Sequence, residues 1–214
     1  MKLLVFDTET TGLPEKKATI DELEKWPYII QISYILYDTD NNYVIDISDL
    51  IIKLNENIKI NEISESIHKI SMKISQEKGI DIKQALLNFK RVVNNSDLIV
   101  GHNVKFDKNI VSVELARNNI NNFLKTKNFY CTMYGSKNIC KIPIIINGRQ
   151  IFKYPKLIEL YKFYFSDEPQ NLHNSMYDVL VTLRCFGMLK YNIDFQEVSC
   201  NLNAIITLAG FCFT

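Results

Sequence analysis

The stretch KLLVFDTETTGL, residues 2–13, opens on an apolar run and then sets two carboxylates, Asp7 and Glu9, two positions apart. KLLVFD is continuous in apolar residues and ends in an acid, the pattern of a buried central strand. Side chains at i and i+2 on a strand point to one face, so Asp7 and Glu9 share it. Like charges on one face raise each other's pKa unless a cation lies between them. A strand ending at the surface would also tolerate two acids. DTETTG, however, adds a hydroxyl-rich turn at the same place, which favours a ligand site there.

Outward from that strand, TGLPEKKATIDELEKWPY (11–28) reads as a polar surface loop with helical character near IDELEKW. IIQISYILYD (29–38) and YVIDISDLIIK (43–53), joined by the turn DNN, read as a hairpin. Helical spacing runs through NEISESIHKISMKI (61–74), DIKQALLNFKRVVNN (81–95), FDKNIVSVELARNNI (106–120), PKLIELYKFYF (155–165) and NSMYDVLVTLRCFGMLKYN (174–192). DLIVGHN (97–103) and NFYCTM (128–133) are short strands. A β-meander followed by strands alternating with helices predicts an α/β fold with a mixed sheet flanked by helices. The pattern fades after residue 192, so we expect a functional domain over 1–192 and a tail of unassigned role over 193–214.

The bulk numbers fit one soluble domain. At 214 residues, 47% hydrophobic and 23% charged, the chain can bury a sizeable core. A net charge of +1 gives no overall basic field, which argues against a processive duplex binder. It argues less against an enzyme that holds a few nucleotides at a chain end. Cys131, Cys140, Cys185, Cys200 and Cys212 are odd in number and show no CxxC pair, so zinc spacing is absent and reduced thiols are expected. Met1-Lys2 runs straight into the first strand with no signal peptide, and the apolar tail NAIITLAGFCFT is too short to span a bilayer. These features predict an intracellular location, cytoplasmic or nuclear or viral, and no membrane partner.

Two further acids stand where ligand sites form in α/β sheets. Asp107 follows the strand-ending VGHN at the start of a helix, and Asp178 lies in the first turns of the long helix 174–192. Asp107 has a structural alternative in complementing a helix N-terminus. Asp178 has one too, because Ser175-Met176-Tyr177-Asp178 fits an S-x-x-D capping box. Four carboxylates without a Cys or His cluster suit magnesium or manganese. Of the three histidines, His68 reads alone as an ordinary core or surface residue, His102 sits beside Asp107 in GHNVKFD, and His173 precedes Asp178 in HNSMYD. A loop position lets the His173 imidazole reach a bound water, and its neutral form accepts a proton.

DTETTG, GHNVKFD and HNSMYD resemble, in order and spacing, the three exonuclease motifs of the DEDDh 3′–5′ exonucleases. That superfamily includes the proofreading subunit of bacterial replicative polymerase, oligoribonuclease and ribonuclease T. The resemblance spans roughly residues 3–190, with CTM and KYPKLIELYKFYF similar to the run leading to the third motif. SIHKIS is similar to the segment between the first two motifs, except that Lys69 stands where the family usually has glycine. The stretch 14–27 looks longer than in compact members.

The resemblance implies an RNase H-like sheet and two divalent ions, Mg²⁺ or Mn²⁺, held by Asp7, Glu9, Asp107 and Asp178. His173 would be the general base, so activity should rise with pH through about 6 to 8. Thr10, Leu13, His68, Asn103 and Phe106 match positions lining the terminal nucleotide's pocket. Phe106 has an equal claim as a core residue, and Lys105 and Lys108 either touch phosphates or are solvated. The implied function is stepwise release of 5′-mononucleotides from the 3′ end of single-stranded DNA or RNA, with a homodimer or polymerase partner open.

Two rivals stand beside it. One is an idle exonuclease-like module that binds nucleic acid or a polymerase. The other is a haloacid dehalogenase-type phosphatase, in which Asp7 would be the nucleophile. Glu9 is one methylene too long for that family's second acid, and GHNVKFD and HNSMYD would go unexplained.

Overall fold

The structure, a computed structural model, describes residues 1–166 and 174–208. Strand β1 (Lys2–Thr10) extends past its apolar run, so Asp7 and Glu9 lie on the strand as expected and the turn begins only after Thr10. β2 (Ile29–Asp38) and β3 (Tyr43–Ile51) form the expected hairpin. Helices α1 (Glu62–His68), α2 (Met72–Lys78) and α3 (Ile82–Asn94) lead to β4 (Leu98–Gly101) and α4 (Lys105–Arg117). Then come β5 (Phe129–Cys131), α5 (Thr132–Cys140), the small hairpin β6 (Pro143–Ile146) and β7 (Arg149–Phe152), and α6 (Leu157–Phe165). The described chain closes with α7 (Ser175–Tyr191), α8 (Phe195–Val198) and α9 (Cys200–Leu208).

The main sheet has the order β3-β2-β1-β4-β5, antiparallel across β3-β2-β1 and parallel across β1-β4-β5. Alternation along β1 divides the core. Leu4 and Phe6 pack with Leu86 and Phe89 of α3 and Ile110 and Val111 of α4. Leu3 and Val5 pack with Val179, Leu180, Leu183 and Phe186 of α7 on the other face. Asp7 and Glu9 continue this second row, so they emerge on the α7 face beyond the apolar layer. The parallel strands bring the ends of β1 and β4 to one edge, where α4 starts.

Helical spacing over 61–74 does not give one helix. Lys69 has φ 62°, and its N–H bonds the Glu65 carbonyl, closing α1 before Ser71 caps α2. The left-handed conformation suits glycine and costs about 1 kcal/mol with a side chain. Lys69→Gly is therefore expected to raise stability by about 0.5–1 kcal/mol, moving the thermal midpoint up by roughly 1–4 °C. An unchanged or lower midpoint would mean that the freer unfolded chain cancels the relief.

Residues 193–208 are integrated with the fold. Phe195, Leu202 and Ile206 are buried in the second core beside Tyr37 and Val44, and the Asn201 side chain bonds the Val44 backbone in both directions at 3.1 Å. Cys131, Cys140, Cys185 and Cys200 are free thiols, while Cys212 lies outside the described residues. No helix among the described residues is long and apolar enough to cross a membrane.

Candidate active site

Asp7 and Glu9 come from β1, and Asp178 comes from the first turns of α7, which packs on the same face. One carboxylate oxygen from each of the three lies within 4.8 Å of the others. Asp107 arrives from the opposite layer, in the first turn of α4, and is buried. Its Oδ1 accepts from the Thr8 N–H at 3.1 Å and the Thr8 hydroxyl at 2.8 Å. The structure thus gathers Asp7, Glu9 and Asp178 tightly and sets Asp107 alongside, held by the residue between the first two.

The capping alternative for Asp178 fails. Asn174, not Ser175, caps α7, its side chain accepting from Met176 and Tyr177 N–H. Ser175 instead donates its hydroxyl to the Asp7 carbonyl at 2.9 Å, fastening α7 to the end of β1. That bond sets the height at which Asp178 meets Asp7.

The charges are frustrated as they stand. Burial, then repulsion from Asp107, Asp178 and Glu9, holds the Asp7 carboxyl well above the ordinary carboxylate range. Burial, then Asp178 and Asp107, pushes Glu9 up to about 8. Burial pushes Asp107 up to about 7, against the two bonds from Thr8. Carboxylates this close and this desolvated cannot all ionise without a compensating cation. An all-oxygen cluster is the donor set of a hard divalent ion, so the residues present fit such a group.

Thr8 is a site residue that the acid-centred reading passes over, although strict alternation in D-T-E marks it as facing the other layer. Thr8→Val would remove the hydroxyl and leave buried Asp107 with backbone N–H donors alone. We expect a cost of about 1–3 kcal/mol and roughly tenfold weaker Mn²⁺ binding by calorimetry at neutral pH. Equal affinity in the variant would make the Thr8–Asp107 bonds dispensable to the site.

His102 does not face the acids. Its Nε2 meets the Pro155 carbonyl at 3.1 Å and its Nδ1 meets the Thr132 hydroxyl at 3.0 Å. Because a carbonyl only accepts, Nε2 carries the proton, and burial lowers the ring's pKa to about 4. Gly101 before it allows the close turn into α4, since a Cβ there would meet Val104 Cγ2 at 2.9 Å.

Residues 4–186 match the RNase_T family, described as Exonuclease. The chain belongs to the exonuclease family. Compared with curated protein sequences, it has no significant match. Among solved structures, this exonuclease-family chain is similar to Escherichia coli exonuclease I in complex with a 5cy-dT13 oligonucleotide, with TM-score 0.67, 17% identity, and coverage of 92% of this chain and 42% of that one. It is similar to a moderately thermophilic exonuclease I from Methylocaldum szegediense, with TM-score 0.66, 15% identity, and coverage of 92% and 42%. E. coli exonuclease I bound to a dA16 oligonucleotide gives TM-score 0.65 and 17% identity over 92% and 42%. The chain therefore has the mixed-sheet, RNase H-like exonuclease fold and spans less than half the length of these relatives. The family sets aside the phosphatase reading of Asp7.

The remaining pocket candidates of this exonuclease-family chain lie at the end of β1, at the end of α1 and at the start of α4. Thr10 is buried and donates its hydroxyl to the Gly12 carbonyl at 2.7 Å. His68 is buried at the end of α1, its Nδ1 accepting from Ile70 N–H; burial lowers its pKa, opposed by the Thr10 backbone and Glu65. Leu13 stands 83% exposed just past β1. Asn103, at φ 64°, is exposed in the turn before α4, and Phe106 is half-buried in its first turn. Lys105 is exposed, whereas the Lys108 ammonium sits 4.5 Å over the Phe129 ring. His173 lies outside the described residues.

Proposed function

We propose that this chain is a metal-dependent 3′–5′ exonuclease that removes 5′-mononucleotides from single-stranded nucleic acid. The observation that carries this is the trio Asp7, Glu9 and Asp178, with ligand oxygens within 4.8 Å, beside Asp107. In the exonuclease family, such a cluster has one evident use: to hold two divalent cations, Mg²⁺ or Mn²⁺. Bound there, they would neutralise the phosphate and acidify a water. Asp7 and Glu9 hold one side of that position from the sheet, and Asp178 closes it from α7. Asp107, steadied by Thr8, closes it from α4.

His173, two residues ahead of α7, is assigned as the base that takes a proton from the attacking water. Its position in HNSMYD supports this, as does the absence of His102 from the cluster. Exposed Leu13 and half-buried Phe106 would face the terminal base, with Thr10, His68 and Asn103 around it. The oligonucleotides bound by the exonuclease I relatives support a single strand as substrate.

The test uses 5′-labelled single-stranded DNA and RNA of matched sequence with Mg²⁺, Mn²⁺ or EDTA. A metal-dependent ladder shortening from the 3′ end, lost in His173→Ala, is the expected result. Intact strands in every metal, with binding retained, would leave an idle nucleic-acid module.

A further inference from the structure

The near-neutral total charge conceals a segregation. Between Glu114 and Glu159 there is no acidic residue and there are eight basic ones, which leaves 17 basic against 24 acidic residues elsewhere. Five of the eight, Lys137, Lys141, Arg149, Lys153 and Lys156, belong to α5, the β6-β7 hairpin and the segment after it. Lys141, Arg149 and Lys156 are exposed, whereas Lys153 is paired with Glu159. The hairpin stands apart from the main sheet, with Ile145 78% exposed near its tip.

Its base is fastened to the loop between β4 and α4. The Pro155 carbonyl meets His102, in the loop that leads into the helix of Asp107. Tyr154 stacks edge-on against Tyr134, with ring centroids 5.0 Å apart, and the Lys137 ammonium lies 4.4 Å over the Tyr154 ring. Both tyrosines are nearly half exposed. A strip of exposed aromatic rings and cations, with Glu159 beside Lys153 and Lys156 as the one acid among them, extends from a base joined to the loop before the helix of Asp107. Its charge and rings are complementary to one occupant, a phosphodiester strand with bases to stack.

We propose that the β6-β7 hairpin, with Tyr134 and Tyr154 at its base, is an arm that holds single-stranded nucleic acid upstream of the 3′ end. The proposal rests on the exonuclease reading for the direction of the strand, but not for the binding itself. Phosphates lie along Lys141, Arg149 and Lys156, and a base stacks at Tyr154. Affinity then grows with strand length past the few nucleotides the acidic site can hold.

The test is fluorescence anisotropy of the full chain with 5′-labelled oligothymidylates of about 3 and 12 residues, in EDTA, over a range of salt. The longer strand should bind at least about tenfold tighter. Lys141→Glu, Arg149→Glu and Lys156→Glu together should weaken the 12-mer by roughly 10- to 100-fold and lower the salt slope by about 2. Tyr154→Ala alone should cost about tenfold. Circular dichroism checks that the exposed substitutions leave the fold intact. A 12-mer affinity within about twofold of wild type in the triple variant overturns the arm. So does a wild-type dimer that the triple variant converts to monomer at unchanged strand affinity, which would make the hairpin a contact between copies. Cleavage of the trimer in Mg²⁺ is scored separately. Length-dependent binding without cleavage keeps the arm and removes the nuclease reading, whereas cleavage without it removes the arm alone.

Discussion

Asp7→Asn is expected to abolish hydrolysis, by on the order of a thousandfold or more, while making the metal-free protein more stable at pH 8. The two effects share a cause. Asp7, Glu9 and Asp107 all have carboxyls raised in the fold, Glu9 to about 8 and Asp107 to about 7, with burial the largest reason for each. An acid whose folded pKa lies above its unfolded one contributes full stability below the unfolded value, near 4. It loses that contribution as pH rises through the folded value. In EDTA the wild-type protein should therefore lose stability between about pH 4 and 8. We expect a loss of about 2–4 kcal/mol, less than independent shifts would sum to, because the carboxylates titrate as a group.

Asn at position 7 removes one charge and relieves its neighbours, so the decline with pH should be shallower. Magnesium should restore wild-type stability at pH 8 and do much less for the variant. Urea unfolding at pH 5, 6.5 and 8, with EDTA or Mg²⁺, measures all of this. A wild-type free energy equal at pH 5 and 8 in EDTA, and indifferent to Mg²⁺, would show that the acids are neither frustrated nor metal ligands.

The parts of this site that could be read from sequence are those whose residue types are costly without a purpose. Asp7, Glu9, Asp107 and Asp178 announce themselves because carboxylates at the end of an apolar strand and at helix starts need an explanation, and the motif order groups them. The supports were not legible in the same way. Thr8 and Ser175 have ordinary surface uses, and only the packing of α4 and α7 against the end of β1 turns their hydroxyls toward Asp107 and the Asp7 carbonyl. S-x-x-D at 175–178 misplaced the helix cap by one residue because Asn174 is an equally good cap and Ser175 is engaged elsewhere.

The unread elements have local reasons too. α5 contains Gly135 and lacks an apolar period. It fits because a Cβ at Gly135 would come 2.0 Å from the Tyr130 hydroxyl, so the helix is placed by tertiary contact. The β6-β7 hairpin is marked only by Asn147-Gly148, both at positive φ, 50° and 73°, as a two-residue type I′ turn requires. Its flanking residues are mostly exposed, so hydrophobic alternation carries no signal there. The basic run vanished for a simpler reason: a whole-chain charge of +1 averages it with the acids elsewhere.

Replacing Arg184 should cost more stability than any exposed substitution considered above. Arg184 lies on α7 six residues after Asp178, and its guanidinium donates to Asp194 with Nη2–Oδ2 at 2.6 Å and Nε–Oδ1 at 3.1 Å. Nη1 donates to the Tyr161 hydroxyl at 2.7 Å, and the Phe165 ring lies 4.2 Å from the guanidinium. Both charged side chains are only 8% exposed. Asp194 also caps α8 by accepting from Gln196 N–H at 3.0 Å. One buried pair therefore joins α6, α7 and the segment after residue 192 that covers β3. Arg184→Leu would leave Asp194 buried without its cation, at about 3–5 kcal/mol, a large share of the roughly 5–15 kcal/mol that holds a domain folded. Adding Asp194→Asn removes the stranded charge while keeping the cap, so the double variant should recover more than half of that loss. Urea midpoints of the two single variants and the double variant decide it. A single-variant cost under about 1 kcal/mol would mean that water reaches Asp194 and the pair is no clamp. A double variant as unstable as Arg184→Leu would place the loss in packing against Phe165 and Tyr161, not in the charge.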